Sequence, residues 1–440
     1  MNLGEALAWL DRHQNLERIL ADRRLSAPRP ERMRRFAHLL GDPQGAYPVL
    51  HLTGTNGKTS AARALTQLLV AKGLSVGTFT SPHLEALNER MTTNGVPIDD
   101  RDLAEVLSDL AGLEHLLGEE MRPTWFEVLA AAGFRYFADR PVDVAVVEVG
   151  MGGRWDATNV AHGQVSVVTN VRLDHTELLG PTREHIATEK AGIVKPGSTL
   201  VLGETDPALY DIFAAQEPEA IWLAGRDYAV ESNVVAVGGR LLDLRTPGAS
   251  YEGVYLDLHG AHQGHNFACA LAAAEAFFGA PLEPDLVAEA AAMVRSPGRM
   301  EVVSQAPLVV LDGAKNVAGA ECFARAVSEE FALRGRVMVV GMLGGKDARE
   351  MLEALEAVSC RLVVTCPPPS PRAQPAEEVA EVARRMGCQA LATASVADAL
   401  EVALGEVGEG EAVLVTGSLY VVGAARSLLA RRPETGAARP

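Results

Sequence analysis

The stretch His51–Ser60, HLTGTNGKTS, decides the fold, because a short apolar run, a glycine-containing turn and a Lys-Thr pair follow one another without a gap. This order predicts a strand, a phosphate-binding loop and then a helix. Gly54 and Gly57 allow the backbone to curl so that its N–H groups point inward. Lys58 can then reach phosphate oxygens, and the Thr59 hydroxyl can bind Mg²⁺.

The loop is a shorter variant of the usual phosphate-binding motif. A strict Walker A sequence has glycine five positions before Gly57, where this chain has Leu52, so the match is to GTNGKT. A glycine-rich turn before a lysine is often an ordinary loop, but the strand before it and AARALTQLLVAKGL after it favour nucleotide binding. The residues expected to bind the nucleotide here are Gly54, Thr55, Asn56, Gly57, Lys58, Thr59 and Ser60.

Composition limits the class of protein. A chain of 440 residues with 48% apolar residues is long enough for two or three globular domains. Its formal net charge of −17 argues against general affinity for nucleic acids or membrane surfaces, since both are polyanionic. An anionic substrate must therefore enter a locally positive cleft.

The cysteine pattern and the N-terminal sequence bear on location. The five cysteines include no CxxC pair and are odd in number, which fits a reduced cytoplasmic setting. MNLGEALAWLDRH carries acidic residues and lacks a long apolar core, so it does not resemble a secretion signal. No window has the apolar length that crosses a bilayer. We expect a cytoplasmic protein without membrane or nucleic-acid partners.

Two further strands end in polar side chains. VDVAVVEVGMGGRWDATNV predicts a buried strand that ends at Glu148, and QVSVVTNVRLDHTELLG predicts another that is followed by Asp174 and His175. Carboxyl ends of parallel strands are where doubly wound sheets bind ligands, so these side chains are expected near the phosphate loop. They are candidates for metal or phosphate binding. Lys190, after Glu189 in a short predicted helix, has the pattern of a solvent-facing pair.

The remaining sequence predicts an α/β protein of two domains. An N-terminal helical extension, with NLERILADRRL and PERMRRFAHLLGDP as helices, precedes the nucleotide-binding strand. Asn266 is expected at the N-cap of an alanine-rich helix, and SPGRME is expected to form the turn between the domains. The boundaries are 1–296 for an ATP-binding domain with a mostly parallel sheet, 297–430 for a smaller Rossmann-like α/β domain, and 431–440 for a tail.

Ten motifs together resemble the folylpolyglutamate synthase and dihydrofolate synthase family of the Mur ligase superfamily. They cover nearly the whole chain in the family's order: GTNGKTS, TSPHLEALNER, TWFEVLAAAGF, VVEVGMGGRWDATN, TNVRLDHTELLG, ATEKAGIVKPG, HQGHNFACAL, SPGRME, LDGAKN and TGSLYVVG. The resemblance implies ATP-driven addition of L-glutamate to dihydropteroate or reduced folates. The substrate carboxylate would take the γ-phosphoryl group to give an acyl phosphate, and the glutamate amine would then displace phosphate.

The resemblance also implies roles for single residues. Ser81, Glu148 and His175 would hold magnesium with Thr59, and a carbamylated Lys190 would help to hold a second magnesium. Lys58, Glu148, His175 and Lys190 would form the catalytic set, and Asn266, Arg299 and Asp312 would bind the nucleotide. Pro82, Leu84 and Arg90 would contact the pterin end of the substrate, and Lys315 and Ser418 the incoming glutamate. Ser81 would also belong to the substrate-binding set. A monomer is expected.

Three departures keep alternatives open. Lys315 stands where the family has histidine, and a charged lysine cannot accept a hydrogen bond. GGKD at 344–347 replaces a more acidic loop, and the Thr in GKT is common in peptidoglycan ligases. One alternative is therefore a Mur-type ligase that adds an amino acid to a UDP-muramyl peptide. Another is a nucleotide-binding regulatory protein that has lost catalysis.

Overall fold

The computed structural model describes residues 1–15, 17–18 and 30–431. Most of NLERILADRRL lies outside these residues, and so does the predicted tail apart from Arg431. The described chain divides into two compact units, and the boundary lies between Arg295 and Ser296, except that Arg18 groups with the second unit. The domain boundary placed after residue 296 in the sequence is within one position of it. Each unit has its own sheet and its own apolar core.

The first unit contains eleven strands and ten helices among the described residues. Its strands are β1 (Val49–Thr53), β2 (Val76–Phe79), β3 (Met91–Thr93), β4 (Val96–Pro97), β5 (Val144–Glu148), β6 (Gly163–Val168), β7 (Thr199–Leu202), β8 (Ala220–Leu223), β9 (Ala229–Ala236), β10 (Gly239–Arg245) and β11 (Ser250–Leu256). Its helices are α1 (Leu3–Leu10), α2 (Pro30–Leu39), α3 (Lys58–Ala71), α4 (Asp100–Glu114), α5 (Trp125–Asp139), α6 (Thr176–Leu179), α7 (Arg183–Ala191), α8 (Pro207–Ala214), α9 (Ala261–Phe278) and α10 (Pro284–Met293).

The main sheet of this unit has the order β4-β3-β2-β5-β1-β6-β7-β8. The strands from β2 to β8 in that order pair in parallel, and β3 and β4 add an antiparallel edge. The central strands β1 and β5 are buried along their whole length, which is why they are almost continuously apolar. Helices α3 and α9 pack in one core cluster and α5 in another, as a doubly wound sheet requires.

A second, antiparallel sheet of the same unit consists of β11, β10 and β9. It comes from the strand-rich sequence between Tyr210 and Tyr255, and its buried side chains join the core around α9. Helix α9 begins at Ala261 after Gly260, whose φ is 96°. The prediction that Asn266 is the N-cap is therefore wrong. Asn266 lies in the second turn, where its amide donates to Gln263 (Nδ2 to Oε1, 3.0 Å) instead of accepting from a backbone N–H.

The second unit is the α/β domain that the sequence predicts. Its strands are β12 (Glu301–Gln305), β13 (Leu308–Leu311), β14 (Gly335–Val340), β15 (Leu362–Thr365), β16 (Ala390–Ala392) and β17 (Glu411–Thr416). Its helices are α11 (Val317–Glu330), α12 (Ala348–Ala354), α13 (Ala376–Arg385), α14 (Val396–Glu406) and α15 (Leu419–Ala430). The sheet order is β12-β13-β17-β14-β15-β16, parallel except for β12. The antiparallel edge strand β12, which begins at Glu301, the last residue of SPGRME, is not among the strands predicted from the sequence.

The fold class predicted from the sequence, two α/β domains with mostly parallel sheets, is confirmed. Among the described residues, every helix is either too short or too polar to cross a lipid bilayer.

Candidate functional site

The ends of four neighbouring strands bring the predicted nucleotide-binding residues together. In the order β2-β5-β1-β6 all four strands run in parallel, so their carboxyl ends meet at one edge of the sheet. The phosphate loop follows β1, Glu148 ends β5, Ser81 follows β2 and Thr169 follows β6. Strand order reverses around β1 and β5, and such a switch point opens the crevice that binds ligands in doubly wound sheets.

The two glycines of the phosphate loop are required by close approach. Gly57 has a φ of 83°, and a Cβ there would lie 2.2 Å from the Asn266 Oδ1 atom. A Cβ on Gly54 would lie 1.8 Å from the Thr169 Oγ1 atom. Neither position accepts a larger residue without displacing its neighbour. The loop backbone therefore lies directly against α9 and against the segment after β6.

That segment after β6 supports the phosphate loop. Thr55 N donates to the Asn170 carbonyl oxygen at 3.0 Å, and Asn56 N donates to the Asn170 Oδ1 atom at 3.1 Å. The Thr169 hydroxyl and the Asn170 amide both donate to the Asn56 carbonyl oxygen, at 2.6 and 2.9 Å. Thr55 also exchanges hydrogen bonds with the backbone of Arg172.

Thr169 and Asn170 were missed by the sequence interpretation. They belong to the motif TNVRLDHTELLG, in which the sequence interpretation assigns roles only to Asp174 and His175. Their position directly after a strand that neighbours β1 was the available signal. They hold the loop in shape before any phosphate arrives.

Lys58 is the first residue of α3 and lies over its own loop. Its ammonium donates to the carbonyl oxygens of Gly54 at 3.0 Å and of Thr55 at 3.2 Å. Phosphate oxygens can take the place of these carbonyls, because both are hydrogen-bond acceptors at the mouth of a helix N-terminus. Ser60 is buried in the same turn, at 3% exposure.

Glu148 is the buried carboxylate of the site. It is 1% exposed and accepts the Thr59 hydroxyl on both of its oxygens, at 3.0 and 2.9 Å. The backbone N–H of Ser81 also donates to it, at 3.2 Å. A carboxylate and a hydroxyl are hard oxygen ligands of the kind that Mg²⁺ prefers, so Glu148 and Thr59 fit a magnesium site.

His175 lies at the N-cap of α6, and its role as a magnesium ligand stays a prediction. Its backbone φ is 51°, its side chain is 30% exposed, and its Nε2 atom lies 3.8 Å from the Asp174 Oδ2 atom. Asp174 in turn accepts from the His175 backbone N–H at 3.0 Å. In the described part of the chain, no three His, Cys, Asp or Glu side chains form a group that could hold a metal ion alone. A magnesium site here depends on Glu148 and on oxygens from the nucleotide.

Lys190 is buried, at 3% exposure, and so the solvent-facing pattern of the Glu189-Lys190 pair is not what the structure has. Its helix packs on the glycine turn after β5, where a Cβ on Gly153 would lie 3.0 Å from the Lys190 Cα atom. Burial raises the pKa of the Glu189 carboxyl. The glycine turn thus brings α7 against the strand that carries Glu148.

The SPHLEALNER loop is organised by Glu89 and Arg90. Glu89 accepts from the backbone N–H groups of Leu84, Glu85 and Ala86 at 2.8 to 2.9 Å. Arg90 is fully buried, and its guanidinium donates to both Glu17 carboxylate oxygens at 2.9 and 2.7 Å. Pro82 and Leu84 are half-buried.

Two further contacts complete the surroundings of Arg90. Its Nε atom donates to the His83 Nδ1 atom at 2.9 Å, and its guanidinium lies over the Trp125 ring at 4.8 Å. With these partners the guanidinium holds the loop to the N-terminal segment. The expectation that Arg90 contacts a substrate stays a prediction.

In the second unit, Asp312 follows β13 and is 6% exposed. Its carboxylate accepts the backbone N–H groups of Met300 at 2.9 Å and Ala314 at 2.8 Å. Burial raises the pKa of Asp312 to about 6, although the positive charge of Arg299 acts to lower it. Arg299 lies beside the same turn, since a Cβ on Gly313 would lie 2.3 Å from the Arg299 Nη1 atom.

The two residues expected to bind glutamate lie at the carboxyl edge of the second sheet. Lys315 is half-buried in the loop after β13, and Ser418 follows β17, which is the next strand in the sheet. Ser418 is 2% exposed and caps α15 by accepting from the Tyr420 backbone N–H at 3.2 Å. Asn316 caps α11 in the same way. The edge thus carries a cation between two helix N-termini, an arrangement suited to a carboxylate.

Comparison with known families matches both units. Residues 52–274 match the Mur ligase middle domain, and residues 298–419 match the Mur ligase glutamate ligase domain. The first match covers the phosphate loop, Glu148, His175, Lys190 and Asn266. The second covers Arg299, Asp312, Lys315 and Ser418.

Individual relatives agree over nearly the whole chain. The chain is 40% identical to a dihydrofolate synthase/folylpolyglutamate synthase of Mycobacterium tuberculosis, over 92% of this chain and 91% of that protein. It is 34% identical to the folylpolyglutamate synthase of Lacticaseibacillus casei, over 98% and 99% of the two chains. A solved structure of the Mycobacterium tuberculosis folylpolyglutamate synthase complexed with ADP superposes with a TM-score of 0.91 at 38% identity, covering 98% of this chain and 99% of that one.

Proposed function

The chain belongs to the Mur ligase family of folylpolyglutamate and dihydrofolate synthases, and from this we propose that it uses ATP to join L-glutamate to dihydropteroate and to reduced folates. The amide would form through an acyl phosphate, with release of ADP and phosphate. The observation that carries this proposal is the phosphate loop braced by Thr169 and Asn170 beside a buried Glu148. The relatives favour this activity over a cell-wall ligase, because those compared above are folate enzymes.

The chemistry explains the need for a nucleotide. A carboxylate is a poor acyl donor because its leaving group would be oxide, and transfer of the γ-phosphoryl group replaces that oxide with phosphate. Charge increases on the transferring group, so the barrier falls when cations and N–H donors are already in place. Lys58 and the backbone N–H groups of the phosphate loop are the donors available for this role.

Magnesium would be held by Glu148 and Thr59, with Ser81 at the same carboxylate. The ion, when bound, neutralises phosphate charge and orients the oxygens for in-line transfer. The Thr59 hydroxyl, which donates to Glu148 in this structure, would then offer its lone pairs to the ion. His175 stays a candidate ligand through its imidazole, which is 30% exposed.

Lys190 is proposed to carry a carbamate that assists a second magnesium. The near-complete burial of its side chain supports this role, because a carbamate converts the lysine cation into an anion whose two oxygens are ligands that magnesium prefers. Labelling with ¹³C-bicarbonate and a carbamate resonance in the carbon NMR spectrum of the protein would test it.

In the second unit, Lys315 and Ser418 are proposed to bind the incoming glutamate, and Asp312 and Arg299 the nucleotide. Lys315 replaces the histidine of the family, and a lysine can still pair with a carboxylate. We further propose that the protein is a cytoplasmic monomer. Gel filtration with light scattering at micromolar concentration would test the monomer.

Turnover by the purified protein with ATP, magnesium and L-glutamate is the direct test. Phosphate release should depend on dihydropteroate or tetrahydrofolate, and the product should gain one glutamate by mass. Release only with a UDP-muramyl peptide would identify the alternative ligase, and no turnover with any acceptor would favour a regulatory protein. Lys58→Ala should abolish turnover, and its retained activity would remove the phosphate-loop assignment.

A further inference from the structure

Two cations at the carboxyl edge of the second sheet have no counter-ion. The Lys315 ammonium and the Arg372 guanidinium make no hydrogen bond or ion pair with any residue that the structure describes, although both residues are half-buried. Unpaired cations are unexpected in a chain with a net charge of −17. Most other arginines of this unit, such as Arg361 and Arg384, form ion pairs with glutamates. Lys315 and Arg372 are thus left for anions from outside the chain.

The loops that carry these cations belong to one row of adjoining loops at the carboxyl edge of the sheet. Strands β13, β17, β14 and β15 are neighbours in that order and run in parallel. A Cβ on Gly417, after β17, would lie 2.7 Å from the Gly341 carbonyl oxygen, after β14. A Cβ on Gly341 would lie 2.4 Å from the Cys366 carbonyl oxygen, after β15. These three loops therefore touch through their backbones. The loop of Lys315 adjoins them, since a Cβ on Gly313 would lie 2.5 Å from the Leu419 Cδ2 atom after β17.

The loop of Arg372 is fixed to the loop after β14. Gly344 N donates to the Arg372 carbonyl oxygen at 2.7 Å, and Gln374 N donates to the Met342 carbonyl oxygen at 2.9 Å. The Gln374 side chain also donates to the Lys346 carbonyl oxygen at 2.7 Å. Prolines at 367, 368, 369 and 371 restrict the backbone before Arg372. Arg372 is thus presented from a rigid loop, which lowers the entropy lost when it binds a ligand.

A buried hydroxyl lies between the two cations in the sheet. Thr416 ends β17, has no exposed surface, and its Oγ1 atom has no hydrogen-bond partner among the described residues. Ser418 follows two residues later. A buried polar atom without a partner costs free energy unless a ligand or water satisfies it. The edge therefore holds a cation, a pair of hydroxyls and a second cation in sequence along neighbouring strands.

We propose that Arg372 binds the side-chain carboxylate of the incoming L-glutamate and decides the choice of a dicarboxylic amino acid. Lys315, with Ser418, then pairs with the α-carboxylate, and the amine stays unpaired for attack. This inference rests on the proposed function, since it assigns the substrate of the same site. A guanidinium pairs with a carboxylate through two parallel hydrogen bonds, which a neutral side-chain amide cannot accept. Glutamine is nearly the same size as glutamate, so its rejection needs such a pair.

The test compares Arg372→Gln and Arg372→Lys with the wild type. In Arg372→Gln the KM for L-glutamate should rise roughly 10- to 100-fold, as expected for loss of a charged hydrogen-bonded pair. The KM for ATP should not change. The ratio of kcat/KM for L-glutamate to that for L-glutamine should fall by a similar factor. Arg372→Lys should give values of the glutamate KM and of this ratio between those of the wild type and Arg372→Gln, because it keeps the charge and loses the paired hydrogen bonds.

Arg349→Gln is the matched control. Arg349 lies in α12 of the same unit, 72% of its side chain is exposed, and it pairs with Glu353 at 2.8 Å. The variant removes the same charge from the same unit and should leave the glutamate KM and the glutamate-to-glutamine ratio at wild-type values.

The outcomes separate the two proposals. A wild-type ratio in both Arg372 variants, with active protein, overturns the role of Arg372. A tenfold or greater fall of the glutamate-to-glutamine ratio in Arg372→Gln, which Arg349→Gln does not reproduce, supports the role of Arg372. A fall of equal size in Arg349→Gln overturns that role. Absence of any ligase turnover by the wild type is instead a failure of the proposed function.

Discussion

Substitution of Gly57 by alanine should reveal how the phosphate loop depends on α9. Gly57 has a φ of 83°, and the three heavy atoms nearest to a Cβ there, at 2.2, 2.9 and 3.1 Å, all belong to the Asn266 side chain. Gly73 has a φ of 90° with nothing within 4 Å of its Cβ position. The two positions therefore share the backbone strain of an alanine at positive φ and differ in crowding.

The expected free energies follow from that difference. Alanine in the left-handed region costs about 1 to 2 kcal/mol, and this is the whole cost at Gly73. Displacement of a packed neighbour adds about 1 to 3 kcal/mol at Gly57. Gly57→Ala should therefore destabilise the first unit by about 2 to 5 kcal/mol. Asn266→Ala removes all three crowding atoms, so in that background Gly57→Ala should cost only the free energy of the strained backbone. The coupling free energy between the two substitutions should therefore be about 1 to 3 kcal/mol.

Urea unfolding followed by tryptophan fluorescence measures these terms. The four tryptophans of the chain, Trp9, Trp125, Trp155 and Trp222, all lie in the first unit, so the signal reports its unfolding. Calorimetry with ADP and magnesium should show weaker binding for Gly57→Ala and unchanged binding for Gly73→Ala. Additivity of Gly57→Ala and Asn266→Ala within about 0.5 kcal/mol would refute the reasoning. So would wild-type ADP affinity in Gly57→Ala.

Three other predictions concern single side chains. Lys190→Ala should lose turnover that short carboxylic acids partly restore in steady-state assays, and a fully active variant would remove the carbamate proposal. Lys315→His should preserve or raise the use of L-glutamate, as measured by its kcat/KM, whereas a collapse would mean that this site works differently from its relatives. Because burial raises the pKa of Asp312 from 3.8 to about 6, this carboxyl should contribute stability to the second unit that is fully present below about pH 4. That contribution, about 3 kcal/mol in total, should be lost as the pH rises through about 6. The protection of β13 and β17 peptides from hydrogen exchange should show this pH dependence in the wild type. The pH dependence should be absent in Asp312→Asn.

The elements of the fold were accessible from the sequence because their patterns are local. The glycines and Lys58 of the phosphate loop follow a continuous apolar run, and Glu148 interrupts another, so both positions were recognisable without any tertiary contact. The second unit has the alternating strands and helices of the Rossmann-like α/β domain that the sequence predicts, with the edge strand β12 in addition. That strand was missed because its pairing with β13 is what makes it a strand.

Side-chain roles depended on contacts between distant segments. Arg90 has the polarity of a substrate-binding residue, but it pairs with Glu17, which is 73 positions away in the chain. Asn266 looked like an N-cap, yet its helix begins earlier and carries the side chain against Gly57. Lys190 has a solvent-facing sequence pattern and is buried because the glycine turn at Gly153 lets α7 pack closely.

The sequence by itself determined the α/β class, the phosphate loop and the order of the motifs, since these follow from hydrophobic periodicity and from residue types at fixed spacing. Only the tertiary structure decided which loops touch. It set Thr169 and Asn170 under the phosphate loop and left Lys315 and Arg372 without counter-ions at one sheet edge. The physical reason is that strand order, which no local pattern encodes, fixes which carboxyl ends become neighbours and therefore which charges must find partners.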